Sequence, residues 1–307
     1  MCCLFGILDY GHKLSRKEKT KILSVLSVAC EERGTDATGI AYNSGGSLKV
    51  YKRPLPAHLL WFKVNEDTNH VLGHARMATQ GSERYNGNNH PFSGQAGNTT
   101  FALAHNGVLN NDKRLRRQHD LPATKIETDS YIAVQLLEAA GEISFQSLAD
   151  MAEKLEGSFT MTMLTDDDTL YVVRGNNPFT LFHFEKLGFY IYASTEPILR
   201  SALKQLNMKL GKPTKIKLEC GEILKIDAIG NMSRSQFDDS KLFLGYSHWP
   251  RYYSRPAVWE TVQDSQASYI EDLKSVAAYY GIWPEDIDAM LADGVTPEEI
   301  EELLNGA

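Results

Sequence analysis

Cysteine is scarce in this chain, and no apolar run is long. Four cysteines (Cys2, Cys3, Cys30, Cys220) in 307 residues are too few and too scattered for a disulfide framework. None pairs with a histidine at zinc spacing, so neither a metal nor a cofactor is called for. A reducing, cytoplasmic setting is the expectation. No stretch approaches the ~18–20 apolar residues of a membrane span. No charged n-region followed by an apolar stretch opens the chain, so neither a membrane association nor a secretory leader is expected. Internal repeats and low-complexity segments are absent too.

What remains is an ordinary globular composition, 42% hydrophobic and 23% charged, enough for one large domain with a small appendage. The net charge of −7 is unevenly placed. Eight acidic residues and no lysine or arginine lie between Glu285 and Glu302. Without those eight of the 39 acidic residues, the 32 basic ones leave the body almost neutral. A nucleic-acid-binding body is therefore not expected.

The chain opens Met1-Cys2-Cys3-Leu4-Phe5-Gly6-Ile7. Cysteine is small enough for the initiator methionine to be removed, which would leave a thiol and a free α-amine on Cys2. That amine has an ordinary pKa near ~8 and can accept a proton near neutral pH. A nucleophile activated by its own amine is an established arrangement. The apolar run that follows reads as a buried strand that fixes this end.

Ser15-Arg16-Lys17-Glu18 reads as a capping box opening a helix, with Ile22 and Leu26 on one face. Short strands are expected at Gly39–Tyr42, Leu48–Lys52, Asn69–His74 and Thr100–His105, with Asn86–Gly97 as a long turn-rich stretch. Thr128 and Ser144 are expected to cap two further helices. Strands at Phe159–Thr165, Thr169–Arg174, Leu181–Glu185, Phe189–Ser194, Ile216–Leu218 and Glu222–Ile226 follow, around a helix at Glu196–Leu206. Hairpin-linked strands interrupted by helix pairs predict an α+β fold of stacked antiparallel sheets with helices outside. Composition divides the chain at 2–230, an aromatic-rich linker at 231–263, and a small acidic helical module at 264–307. Helical patterns fall at about 264–280, 284–292 and 296–305.

Four further motifs carry chemistry. Arg33-Gly34-Thr35-Asp36 joins the first helix to a strand. Gly73-His74-Ala75-Arg76-Met77-Ala78-Thr79-Gln80-Gly81 leaves a strand into a loop. His105-Asn106-Gly107 leaves another strand, and Thr128-Asp129 enters a helix. Each also has a plain structural reading: a helix stop, a loop salt bridge, a turn dipeptide, a helix-dipole partner. Lys113, Arg114, Arg116 and Arg117 read as a solvated face, and the aromatics of 246–259 as packing.

Taken in order after an N-terminal cysteine, these motifs resemble the glutaminase domain of class II glutamine amidotransferases, which are N-terminal-nucleophile hydrolases. Asn88-Asn89-His90-Pro91 matches the family's Asn-x-His-Pro, and the resemblance runs from residue 2 to about 230. It implies a four-layer αββα sandwich. It also implies that Cys2 Sγ attacks the side-chain amide of L-glutamine, giving glutamate and ammonia through a thioester. Asn106 and Gly107 would form the oxyanion hole. Arg76 would hold the substrate carboxylate and Asp129 its ammonium; Thr79 would line the pocket, and Arg33 would orient the nucleophile end. Three departures stand out: Cys3 in place of a frequent glycine, Met77 where sugar-synthase relatives carry tryptophan, and Gln80 for histidine.

The 75 or so residues beyond the resemblance are too few for an ammonia-using domain of the kinds such relatives carry. A separate synthetase or ammonia-acceptor protein is thus expected, with the acidic tail as one docking candidate, and a homo-oligomer is left open. Two other readings compete. An amidase acting on another acyl amide would not need both Arg76 and Asp129. A non-catalytic glutamine-binding regulator would not need Cys2.

Overall fold

The computed structural model describes residues 2–242, 270, 273, 274, 277 and 282–306. Two antiparallel sheets organise it. The first has seven strands, in the order β11-β9-β10-β1-β4-β2-β3: β1 Cys3–Asp9, β2 Ala37–Ser44, β3 Ser47–Arg53, β4 His70–Arg76, β9 Thr180–Phe184, β10 Phe189–Ala193 and β11 Thr214–Ile216. The second has six, in the order β13-β12-β8-β7-β6-β5: β5 Phe92–Ala96, β6 Thr99–Leu109, β7 Gly157–Thr165, β8 Leu170–Arg174, β12 Glu222–Ile226 and β13 Met232–Gln236.

The apolar side chains sort into three layers. Leu4, Leu8, Ala41 and Leu72 of the first sheet meet Ala102, Ala104, Leu164 and Val172 of the second. Cys3, Phe5 and Ile7 point the other way, onto the helices α1 Arg16–Ala29 and α5 Glu196–Leu206. The outer face of the second sheet packs on α2 Asp112–Gln118, α3 Tyr131–Ala140 and α4 Phe145–Lys154. Helices thus cover both outer faces, which is the α+β sandwich expected. The period-2 alternation of a strand explains why β1, central in its sheet, is buried at every position. Each Leu or Phe so enclosed contributes about 1.5–3 kcal/mol. Gly6 is required there, because a Cβ would stand 2.3 Å from Val71 O and 2.4 Å from the Tyr192 ring.

Local chemistry sets the boundaries. Ser15 and Glu18 form the capping box at α1, and Ser144 caps α4. The β2–β3 hairpin turns on Gly45 and Gly46 at φ +61° and +71°, the left-handed pair that such turns require. Three details differ from the sequence reading. Helix α3 begins at Tyr131, and Thr128 Oγ1 caps nothing, having no hydrogen-bond partner among the described residues. Strand β5 lies inside the stretch read as turns, held by its register with β6. Strand β13, just past Gly230, pairs with β12 across the Asp227–Asn231 turn. Two short helices, α6 Pro284–Ala292 and α7 Pro297–Gly306, follow. The expected helix at 264–280 and the aromatics of 246–259 lie largely outside the described residues.

Burial pulls His70 and His74, both on β4, down to about 3. An unfolded chain would protonate both near ~6.5, so unfolding takes up protons anywhere between these values. Stability is therefore lost as pH falls from 6.5 toward 3. The urea midpoint should drop over that range, and should drop less in His70→Leu; equal slopes would remove His70 from this account.

Candidate active site

The site lies where the C-terminal end of β4 meets β6 of the other sheet. His74 Nε2 donates to the carbonyl of His105 at 2.9 Å, which joins the two sheets. Arg76 lies two residues beyond one partner and Asn106 one residue beyond the other. His105 is fixed in turn, with Nδ1 2.7 Å from Ser130 Oγ and Nε2 3.3 Å from Ser158 O.

Cys2 immediately precedes β1 and is half-buried; its Sγ donates to Met77 O at 3.4 Å. Burial pushes the thiol up, opposed by the positive charge of the amino terminus and by Arg76, while Asp129 adds to the rise. Cys3, on the other face of the strand, sits fully buried in the helix-side core with Cys30. Of the two adjacent thiols, Cys2 is the one beside Arg76 and Asp129.

The Arg33-Gly34-Thr35-Asp36 segment is scaffolding for this end. Arg33 Nε donates to Cys2 O at 3.0 Å, and its Nη1 pairs with Glu301 of α7 at 2.5 Å. Gly34 lies against the Arg76–Met77 peptide, where a Cβ would stand 2.4 Å from Arg76 C. Asp36 donates its N–H to Arg76 O and accepts from Ala78 N–H at 2.7 Å. The structure thus places Arg33 on the Cys2 backbone.

Arg76 is 2% exposed. Its Nη1 donates to Asn89 Oδ1 at 2.7 Å, and its Nη2 to Gln80 O and Gly81 O. These three bonds occupy three of five N–H groups. Asn89 donates to Glu83 O, while Asn88 donates to Ser82 O and accepts from Glu127 N–H. Lys52 closes the base through Asn89 O and Pro91 O at 2.5 and 3.1 Å; burial, then Arg76, brings it down to about 8. Thr79 is exposed on the loop that follows Arg76.

Asp129 is 3% exposed. Its Oδ2 accepts from Leu109 N–H at 2.6 Å and its Oδ1 from Ser130 Oγ at 3.3 Å. Asn106 is equally enclosed, yet its Nδ2 has no partner among the described residues. A buried donor left unpaired costs about 1–3 kcal/mol, a cost that an incoming acceptor would relieve. Gly107 beside it has φ +140°. Among the described residues, no three His, Cys, Asp or Glu side chains gather as a metal site. Sequence reading had named Asp36 and Asn89 within motifs but given them no task. Lys52 and Asn177, outside the quoted motifs, had no signal at all.

Residues 74–201 match the family model described as a glutamine amidotransferase domain. This part of the chain is thus similar to a glutamine amidotransferase domain. The matched span contains Arg76, Thr79, Asn106, Gly107 and Asp129 and starts after Cys2. Among curated relatives, the isomerizing glutamine–fructose-6-phosphate aminotransferase of Staphylococcus epidermidis is 31% identical over 203 residues, 63% of this chain and 32% of that one. Its Staphylococcus aureus counterpart is 27% identical over 92% of this chain and 49% of the relative. The chain therefore spans between about a third and a half of these relatives' length. The glutamine phosphoribosylpyrophosphate amidotransferase of B. subtilis shares the fold, with a TM-score of 0.60 and 23% identity over 77% of this chain and 49% of that one.

Two outcomes follow for this site. Gly34→Ala must displace the Arg76 backbone, so it should lower the urea unfolding free energy by about 1–3 kcal/mol; an unchanged midpoint would contradict that contact. In protein that retains Met1, the pH midpoint of Cys2 alkylation should lie above the ordinary thiol range. It should move down once Met1 is removed, since the ammonium then sits on the cysteine itself. Identical midpoints in the two forms would count against this electrostatic picture.

Proposed function

We propose that the domain hydrolyses the side-chain amide of L-glutamine to glutamate and ammonia, with Cys2 as nucleophile, and supplies an acceptor or synthetase on a separate chain. The observation that carries this reading is the pair Arg76 and Asp129. They are opposite charges, both buried, and both act on the Cys2 thiol. A free amino acid needs one cation for its carboxylate and one anion for its ammonium. The two Arg76 N–H groups without a partner among the described residues suit the former, as charge-assisted bonds, and Asp129 Oδ1 suits the latter.

With Met1 gone, the α-amine of Cys2 takes the thiol proton as Sγ bonds to the amide carbon. The carbonyl electrons move onto oxygen, where the Asn106 Nδ2 and the Gly107 N–H receive the charge. Collapse of this adduct breaks the C–N bond, and the amine's proton leaves with the departing ammonia. Water then attacks the thioester, the amine now acting as base, and glutamate departs as Sγ recovers its proton. Thr79 lines the entrance, and Arg33 keeps the Cys2 carbonyl fixed.

The glutaminase unit runs from residue 2 past the expected 230 to the β13 hairpin and Leu242, with the rest of 231–263 as a linker and 264–307 as an acidic helical module. A reducing, cytoplasmic compartment suits a chain whose nucleophile must stay a thiol.

Intact mass before and after a diazo-ketone analogue of glutamine tests the reading. The mature chain should lack Met1 and gain one adduct on Cys2, slowed by glutamine and absent in Cys2→Ala. Asn106→Ala should lower kcat by about 10²–10³ while glutamine still shields Cys2. A retained Met1, or an adduct elsewhere, would remove the mechanism.

A further inference from the structure

Asn177 belongs to the turn between β8 and β9 and is 3% exposed. Its Nδ2 donates to the carbonyl oxygen of Asn106 at 2.9 Å, with Ser158 Oγ a second acceptor at 3.4 Å. The residue is pinned to β7 at both backbone groups. Thr160 Oγ1 donates to Asn177 O at 2.6 Å, and Asn177 N–H donates to Phe159 O at 3.4 Å. Arg174 Nη1 braces the same Thr160 hydroxyl at 3.2 Å and also donates to Gly175 O.

The carbonyl that Asn177 holds is half of one peptide unit, and its other half is the Gly107 N–H. In a trans peptide these two groups lie in one plane and point in opposite directions. Holding the oxygen therefore sets where the N–H points. A donor on the oxygen also withdraws charge along the amide, which makes the N–H a stronger donor, by about 10–30% per bond. Gly107 is what permits this approach. A Cβ there would stand 2.5 Å from Asn177 Nδ2 and 2.0 Å from Ser158 O.

We infer that Asn177 is a positioning residue for the oxyanion hole: through the Asn106 carbonyl it aims and polarises the Gly107 N–H. This rests on the glutaminase reading, in which that N–H receives the charge of the tetrahedral adduct. A residue that merely tied the 175–179 turn to β7 would have no need to reach the Asn106 carbonyl. The backbone bonds to Phe159 and Thr160 already do that.

The test compares two reactions of Cys2 in purified, processed, full-length protein. Glutamine turnover builds an oxyanion. Alkylation by iodoacetamide displaces iodide from a CH₂ carbon and builds none. In Asn177→Ala and in the same-shaped Asn177→Asp, kcat for glutamine should fall by roughly tenfold to a hundredfold, less than the ~10²–10³ for losing a donor outright. KM, the alkylation rate and the protection of Cys2 by glutamine should stay at wild-type values. Asn177→Asp should be the slower of the two, since it sets a carboxylate oxygen against the carbonyl; it also carries the comparison if Asn177→Ala does not fold. A wild-type kcat in both variants would overturn the inference, as would alkylation and protection falling in step with kcat. Wild-type protein that neither turns over glutamine nor has Cys2 shielded by it would overturn the glutaminase reading, and this inference with it.

Discussion

One hydrogen bond between the sheets, from the His74 ring to the His105 carbonyl, fixes the spatial logic of the site. Each sheet is held internally by its own ladder, and the layer between them is mostly non-directional apolar contact. Apolar packing sets a separation but tolerates sliding. A directional bond between β4 and β6 sets a register. Because Arg76 and Asn106 lie one or two residues from its ends, that register sets where the buried Arg76 cation stands relative to the unpaired Asn106 amide.

The same region carries an electrostatic load. Isolated buried ions cost several kcal/mol each, and Arg76 and Asp129 are almost fully enclosed. The dense loop between Met77 and Pro91 is the compensation. Asn89, Gln80 and Gly81 accept from the guanidinium, Asn88 and Asn89 donate to Ser82 O and Glu83 O, and Lys52 ties the base of the loop to β3. Asp129 is met by a strand N–H and a hydroxyl. Neither charge is neutralised outright by a direct ion pair among the described residues, which leaves each able to take a partner of its own.

Most of the architecture was legible because its causes are local. Ser15 with Glu18, Ser144, the Gly45-Gly46 turn and the alternation through β1 each announce themselves within a few residues. What was not legible depends on pairing between distant segments. Strand β5 has a glycine, polar residues and turn chemistry around it, and only its register with β6 makes it a strand. The edge strand β13 exposes most of its side chains and so lacks the alternation that marks a half-buried strand. The motif residues were readable as a set, but the backbone contacts through which some of them act were not. Arg33-Gly34-Thr35-Asp36 serves through backbone contacts to Cys2, Arg76 and Ala78, which no spacing within the motif could show. The contact between Arg33 and Glu301 joins residues 268 apart in sequence.

The strand alternation that sends Cys2 and Cys3 to opposite faces also sorts the thiols by reactivity. Cys3 and Cys30 are sealed in the core at 0% exposure, and burial, with Asp239 beside it, pushes Cys220 up to about 12. Cys2 is half-buried, with the amino terminus and Arg76 nearby. A protein with four thiols should therefore respond to a thiol-directed fluorophore or fluorine tag as though it had one. Its own first strand has already done the work of a single-cysteine mutant, leaving a reporter beside Arg76 and Asp129 without a change of sequence.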